Sequence, residues 1–134
     1  MDKVVLDKRA PTRWERKILV VDDEPNVVRS LTFVLEKEGY DVSSAANGEE
    51  AMAKIQEIRP RLVLLDVMMP KKNGYEVCKE VKDNSSLSDT HIIMLTAKGQ
   101  EADREKGFGA GADEFMTKPF SLMAVVDRVK KLLG

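Results

Sequence analysis

The chain has 134 residues, a length that favours a single domain, and 43% of them are hydrophobic, which is enough for a core and excludes extensive disorder. The formal net charge of -1 gives no sign of a nucleic-acid-binding surface, and the one cysteine excludes an internal disulfide and a cysteine-based zinc site. No signal-peptide-like start and no apolar run near the roughly 18 residues of a membrane span occur, so we expect a soluble, cytoplasmic protein without membrane contacts.

The first 16 residues differ from the rest of the chain. They mix basic and acidic side chains, are interrupted by Pro11 and sustain neither the strand nor the helix period. We predict a flexible or loosely docked N-terminal arm over residues 1–16, with Trp14 as its candidate anchor, followed by one domain over residues 17–134.

Short apolar runs alternate with amphipathic segments from Lys17 onward. The apolar runs predict strands over residues 17–21, 41–45, 62–66, 91–96 and 113–117. The amphipathic segments predict helices over residues 25–38, 48–58, 74–83, 100–108 and 121–133. Pro25 suits the first turn of a helix, and Gly39 suits the left-handed residue that ends one. Asn47 and Glu50 have the spacing of a capping box.

The alternation of strands and helices predicts a parallel sheet that is covered on both faces. The runs 62–66 and 91–96 are almost wholly apolar, as strands buried on both faces should be. We therefore predict an α/β fold: a doubly wound, flavodoxin-like sheet of five parallel strands in the order 2-1-3-4-5, with five helices on its two faces. In such sheets ligands bind beyond the carboxyl ends of the strands where the order reverses, here between the first and third strands.

Acidic side chains follow the two strands at this reversal. Asp22 and Asp23 follow the first strand and Asp66 ends the third, although an ionised carboxylate beside buried strands is costly unless it is compensated. A divalent cation would offset the mutual repulsion of three acids, and carboxylate and carbonyl oxygens suit Mg²⁺. A carboxylate can also act as a nucleophile that forms an acyl phosphate. Thr96 and Lys118 close the next two strands, so the pattern predicts a site for Mg²⁺ and a phosphoryl group.

Each of these residues has a simpler interpretation when it is taken alone. Asp23 could stabilise the start of the following helix, and Asp66 could open a turn. Thr96 could be an ordinary β-branched strand residue, and Lys118 a solvated residue before a proline. All of these interpretations must hold together, in the observed order, to exclude a shared site. His91, the single histidine, begins a strand at the far side of the sheet and is a poor ligand candidate.

Six short motifs occur in order between Lys17 and the C-terminus. They are Val20-Val21-Asp22-Asp23-Glu24-Pro25, Leu65-Asp66-Val67-Met68-Met69-Pro70, Asn73-Gly74, Leu95-Thr96-Ala97, Gly111-Ala112-Asp113 and Lys118-Pro119-Phe120. Any one of them alone is weak, but the ordered set closely resembles the receiver domain of two-component response regulators, of the chemotaxis-Y type.

The resemblance implies a phospho-acceptor signalling module, not an enzyme in the usual sense, since it would catalyse only its own phosphorylation and dephosphorylation. Asp66 would accept a phosphoryl group from a phosphohistidine on a sensor histidine kinase or phosphotransfer protein, and Lys118 would contact that group. The Mg²⁺ ligands implied by the resemblance are Asp22, Asp23, Asp66 and the main-chain carbonyl of Met68.

The resemblance also implies a switch and two residues that tune its lifetime. Thr96 would move toward the phosphoryl group, and Phe115 would turn inward into the space left. Met68 and Lys98 lie two residues beyond Asp66 and Thr96, and an apolar Met68 cannot orient an attacking water, so we predict slow self-dephosphorylation. A downstream protein, or an output domain outside this chain, would contact residues Gln100–Phe108, Phe115 and Leu122–Leu133.

Two other functions use similar chemical groups. A haloacid-dehalogenase-type phosphatase places its nucleophile after the first strand and a second aspartate two residues later, whereas here Asp66 follows the third strand and Met68 lies two residues on. A flavodoxin-like FMN binder would need a crevice that does not repel the flavin phosphate. Release of phosphate from p-nitrophenyl phosphate, abolished by Asp66→Ala, would favour the first function, and a yellow protein would favour the second.

Overall fold

A computed structural model of the chain describes residues 16–69, 71–97, 108–118 and 120–134. The predicted N-terminal arm with Trp14 lies outside the described residues, apart from Arg16, and so does the predicted helix over residues 100–108, apart from Phe108. Lys98 lies outside them as well.

Five strands form one parallel sheet. They are β1 (Lys17–Val21), β2 (Asp41–Ala45), β3 (Leu62–Asp66), β4 (His91–Ala97) and β5 (Glu114–Lys118). Their order is β2-β1-β3-β4-β5, which confirms the predicted topology. Three strand boundaries were predicted wrongly: β4 continues to Ala97, which pairs with Lys118, and β5 both begins and ends one residue later than predicted. Asp113 directly precedes β5, and its carboxylate accepts a hydrogen bond from the amide of Ile92 at 2.8 Å.

Four helices lie within the described residues. They are α1 (Pro25–Lys37), α2 (Gly48–Ile58), α3 (Gly74–Asp83) and α4 (Leu122–Leu133). The fifth predicted helix is the one that falls outside the described residues. Gly39 follows α1 with a φ of 96°, as predicted for a helix end. α4 begins one residue later than predicted, because Ser121 has an extended backbone and its side chain caps the helix by accepting from the amide of Ala124 at 3.3 Å.

The starts of α2 and α3 are fixed by side-chain caps. The Asn47 side chain accepts from the amide of Glu50 at 2.9 Å, but the Glu50 carboxylate accepts from the amide of Ala46, so the predicted capping box is only half formed. The complete box lies at α3, where Asn73 and Glu76 exchange two hydrogen bonds of 3.0 Å. Both helices therefore begin at defined positions beside the carboxyl ends of β2 and β3.

The sheet separates two apolar clusters. α2 and α3 pack on one face and α1 and α4 on the other, and every residue of β3 is buried. Val63 and Leu65 of β3 belong to the first cluster, and Leu62 and Leu64 to the second. Fully burying one such side chain stabilises the fold by about 1.5–3 kcal/mol, so β3 holds the residue at its end, Asp66, firmly in place. None of the helices in the described ranges is both long and apolar enough to cross a bilayer.

Candidate functional site

Three carboxylates meet at the carboxyl edge of the sheet. β1 and β3 are hydrogen-bonded neighbours, and Val21 pairs with Leu65, so Asp22 and Asp66 leave the two strands side by side. One oxygen from each of Asp22, Asp23 and Asp66 lies within 4.8 Å of the others. Asp22 and Asp66 are only 1% and 6% exposed, whereas Asp23 faces solvent. The three acids that the sequence singled out are therefore brought together at the reversal of the strand order.

The ammonium group of Lys118 completes the cluster from the end of β5. Its Nζ atom lies 2.7 Å from Asp22 Oδ2, 3.1 Å from Glu24 Oε1 and 3.7 Å from Asp66 Oδ1. Sequence reasoning assigned no role to Glu24, although Glu24 follows Asp23 directly in the same loop and its position beside two acids was a usable signal. One cation is thus shared by three acidic side chains.

Burial and charge shift the proton affinity of the site. Burial, followed by repulsion from Asp22, raises the pKa of Asp66 from 3.8 to about 7, although Lys118 and the amide of Met68 oppose this effect. Burial acts to lower the pKa of Lys118, but the carboxylates of Asp22, Asp66 and Glu24 outweigh it and raise that pKa. Near neutral pH the Asp66 side chain is therefore divided between its acid and its carboxylate forms, while Lys118 remains charged.

The donor atoms fit a small, hard divalent cation. The Oδ1 atom of Asp22 accepts a hydrogen bond from the amide of Glu24 at 2.9 Å, whereas its buried Oδ2 atom has the ion pair with Lys118 but no hydrogen bond with the described residues. Lys118 therefore already compensates the charge of this oxygen in the metal-free protein, so the case for a metal ion depends on the type and convergence of the donor atoms. Oxygen donors without thiolate or imidazole are the set that Mg²⁺ prefers. His91 lies at the opposite end of β4, with its Nε2 atom 2.7 Å from Glu114 Oε2, in agreement with its dismissal as a ligand.

The residues predicted to form the switch lie on one face of the sheet. Leu95 is the register partner of Asp66, so Thr96 stands one residue further toward the site, and it is only 2% exposed. Phe115 pairs with Met94 in the sheet and packs against the cluster beneath α2 and α3. Its ring meets that of Phe108 edge to face, with the centroids 4.7 Å apart, and the Phe108 side chain is half exposed. The aromatic pair therefore connects the interior of this face with the surface.

The roles of Met68 and Lys98 in the lifetime of the acyl phosphate both stay predictions. Met68 is 62% exposed, and its amide is hydrogen-bonded to the Asp66 carboxylate. Lys98 lies outside the described residues, so its predicted role stays a prediction.

The sequence matches the family model described as response regulator receiver domain over residues 18–130. The transcriptional regulatory protein ResD of Bacillus subtilis (strain 168) is 52% identical over 119 residues, which cover 89% of this chain and 48% of ResD. The chain spans about half the length of the curated relatives it matches.

Solved structures show the same architecture. A protein of Chloroflexus aurantiacus J-10-fl, described as a response regulator, superimposes with a TM-score of 0.82 at 39% identity, covering 88% of this chain and 97% of that one. The chemotaxis protein CheY4 of Vibrio cholerae superimposes with a TM-score of 0.81 at 33% identity, covering 87% of this chain and 98% of that one.

Proposed function

Because the chain belongs to the family of response regulator receiver domains, we propose that Asp66 is the residue that accepts the phosphoryl group. The observation that carries this proposal is the convergence of three carboxylates within 4.8 Å, with the Lys118 Nζ atom 3.7 Å from Asp66. The matching family model is neither that of a haloacid-dehalogenase-type phosphatase nor that of an FMN binder, so it supports neither alternative function.

Asp66 has the environment of a phosphoryl acceptor. As a carboxylate, it would attack the phosphorus of a phosphohistidine, so that an oxygen–phosphorus bond forms and the nitrogen–phosphorus bond to the departing imidazole breaks. Lys118 can neutralise charge on the transferred group, which is the main requirement in phosphoryl transfer. Asp22, Asp23, Asp66 and the main-chain carbonyl of Met68 would hold Mg²⁺, which supplies further neutralisation when it is bound.

Thr96 and Phe115 are the proposed switch. The Thr96 hydroxyl would donate to a phosphoryl oxygen, and the Phe115 ring would turn into the space that Thr96 leaves. Phe115 lacks a phenolic hydroxyl, so the readout would rest on packing, including the edge-to-face contact with Phe108. Met68 and Lys98 are proposed to set the lifetime of the acyl phosphate, with the apolar Met68 favouring slow hydrolysis.

The partners follow from the module and its size. The phosphoryl donor would be a sensor histidine kinase or a phosphotransfer protein. The target would be a downstream protein, or an output domain in the part of a longer regulator that this chain does not cover. It would contact Gln100–Phe108, Phe115 and Leu122–Leu133. We further propose that residues 17–134 are the receiver unit and that residues 1–16 are an arm outside it. Catalysis by this unit would be limited to its own phosphorylation and dephosphorylation.

Intact-mass spectrometry after incubation with acetyl phosphate and Mg²⁺ tests the proposal. We expect the mass of one phosphoryl group on the wild-type chain, and its loss when EDTA replaces Mg²⁺. Asp66→Ala should stay unmodified, whereas the control Asp83→Ala, which changes an exposed aspartate in an i,i+4 pair with Lys79, should be modified like the wild type. An equal mass increase in Asp66→Ala would show that the acceptor lies elsewhere.

A further inference from the structure

The loop between β3 and α3 folds back onto the end of β3. Its described residues are 67–69 and 71–73. The amide of Gly74 donates to the carbonyl of Val67 at 2.9 Å, so the chain leaves Asp66 and returns to it at the start of α3. A Cβ atom on Gly74 would lie 2.4 Å from the carbonyl oxygen of Asp66. A larger residue at this position would therefore push the start of α3 away from the end of β3. The shape of the loop and the position of Asp66 are thus coupled.

The other side of this loop rests on the start of α2. A Cβ atom on Gly48 would lie 2.0 Å from the carbonyl oxygen of Lys72 and 2.5 Å from its Cβ atom, far inside van der Waals contact. Gly48 is not among the glycines with positive φ, so the lack of space, and not the backbone conformation, excludes a side chain there. The loop backbone therefore lies directly on the bare backbone of Gly48.

We propose that Gly48 is a positioning residue for the phosphorylation site: it seats the β3–α3 loop, and with it the main-chain carbonyl of Met68, in the arrangement that binds Mg²⁺. This inference rests on the proposed function, because it assumes that the Met68 carbonyl is a ligand. Gly48 itself touches neither the ion nor the phosphoryl group in this account; it acts through the contact with Lys72.

The loop, and not the helix, would yield to a side chain at position 48. α2 is held by Ala51 and Ile55, both fully buried, and by the cap that Asn47 provides. In the loop, by contrast, Lys71 is exposed and Lys72 and Asn73 are only partly buried. An added methyl group would therefore displace the loop by roughly 1 Å or more to restore normal contact distances. Mg²⁺ demands near-ideal octahedral geometry, so its affinity should respond to such a displacement.

Calorimetric Mg²⁺ titration of Gly48→Ala, without any phosphoryl donor, tests the inference. We expect affinity about tenfold weaker than that of the wild type, the scale seen when supporting residues around a metal site are changed. Phosphorylation by acetyl phosphate should be slowed at low Mg²⁺ and restored at saturating Mg²⁺. Gly109→Ala is the matched control, since a Cβ atom there meets no described atom within 4 Å. Ile55→Val controls for lost stability, because it removes one methyl group from the α2 core and leaves the contact of Gly48 with Lys72 unchanged.

Both controls should bind Mg²⁺ like the wild type. Unchanged affinity in a folded Gly48→Ala, or an equal loss in Ile55→Val, would overturn the inference. If Gly48→Ala does not fold, amide hydrogen exchange on the wild type decides instead. The amides of Glu50 and Ala51, both bonded to Asn47 at 2.9 Å, should exchange about threefold more slowly with Mg²⁺ present. Unchanged exchange would refute the proposed positioning role of Gly48. A wild type that takes up no Mg²⁺ would instead refute the proposed function itself.

Discussion

Replacing Asp66 by asparagine should stabilise the metal-free protein at neutral and alkaline pH. The neutral amide has nearly the shape of the protonated carboxyl group, but it cannot acquire the charge that burial and Asp22 disfavour. Because the pKa of Asp66 is raised in the folded state, its contribution to stability is fully present below the ordinary value of 3.8 and is lost as the pH rises through about 7. The wild type should therefore weaken across this interval, and Asp66→Asn should not.

The magnitude follows from the two pKa values. Each pH unit between 3.8 and about 7 is worth about 1.4 kcal/mol, which gives a total of about 4 kcal/mol above pH 8. Between about pH 5 and pH 8 the wild type should lose about 3 kcal/mol that Asp66→Asn retains. Groups that lie far from Asp66 are unchanged by the substitution, so their contributions to stability cancel in the comparison.

Urea unfolding in EDTA, followed by far-UV circular dichroism across this pH range, measures the difference. Asp83→Asn is the matched control, since Asp83 is exposed, and its stability curve should run parallel to that of the wild type. Added Mg²⁺ should flatten the wild-type curve, because a ligand that binds only the folded carboxylate stabilises it. Parallel curves for the wild type and Asp66→Asn in EDTA would refute the assignment of the raised pKa to burial at this site.

Three other substitutions test separate parts of the structure. Lys118→Met should slow phosphorylation by acetyl phosphate at least about tenfold, since the removed ammonium lies 3.7 Å from Asp66, and a wild-type time course by intact mass would contradict its role. Met68→Asn should shorten the lifetime of the acyl phosphate, because the amide can orient an attacking water; equal or slower decay after removal of the donor would count against this. Leu64→Ala should lower the free energy of unfolding by about 2–5 kcal/mol, since Leu64 is fully buried in β3, and a loss below 1 kcal/mol in urea would argue against that packing.

The sheet and its acidic edge were predictable because they depend on patterns that repeat along the chain. β3 has only apolar residues before Asp66, so both its burial and the exit of a carboxylate at its end follow from the sequence. Once the strands are parallel, Asp22 and Asp66 must leave the sheet at the same edge. The position of Lys118 follows in the same way from the end of β5.

Contacts between loops were not predictable, because they depend on the distance between segments that no local pattern encodes. The ion pair of Glu24 with Lys118 joins residues 94 apart in the chain. Asn47-Gly48 and Asn73-Gly74 have the same local signal, that of a turn or helix cap. Only the folded chain shows that each glycine also makes room for a neighbouring backbone, Gly48 for Lys72 and Gly74 for Asp66.

The two kinds of contribution to the metal site can be separated by the signs of their effects. Charge repulsion at Asp66 opposes folding of the metal-free protein and favours the cation, so Asp66→Asn should raise stability in EDTA while abolishing Mg²⁺ binding. The close contact of Gly48 with Lys72 favours both folding and Mg²⁺ binding, so Gly48→Ala should lower the free energy of unfolding and the Mg²⁺ affinity together. A site built by electrostatics alone would show only the first pattern, and a site built by packing alone only the second. Because the acids converge within 4.8 Å and the loop rests on bare backbone, both patterns should occur in this one protein.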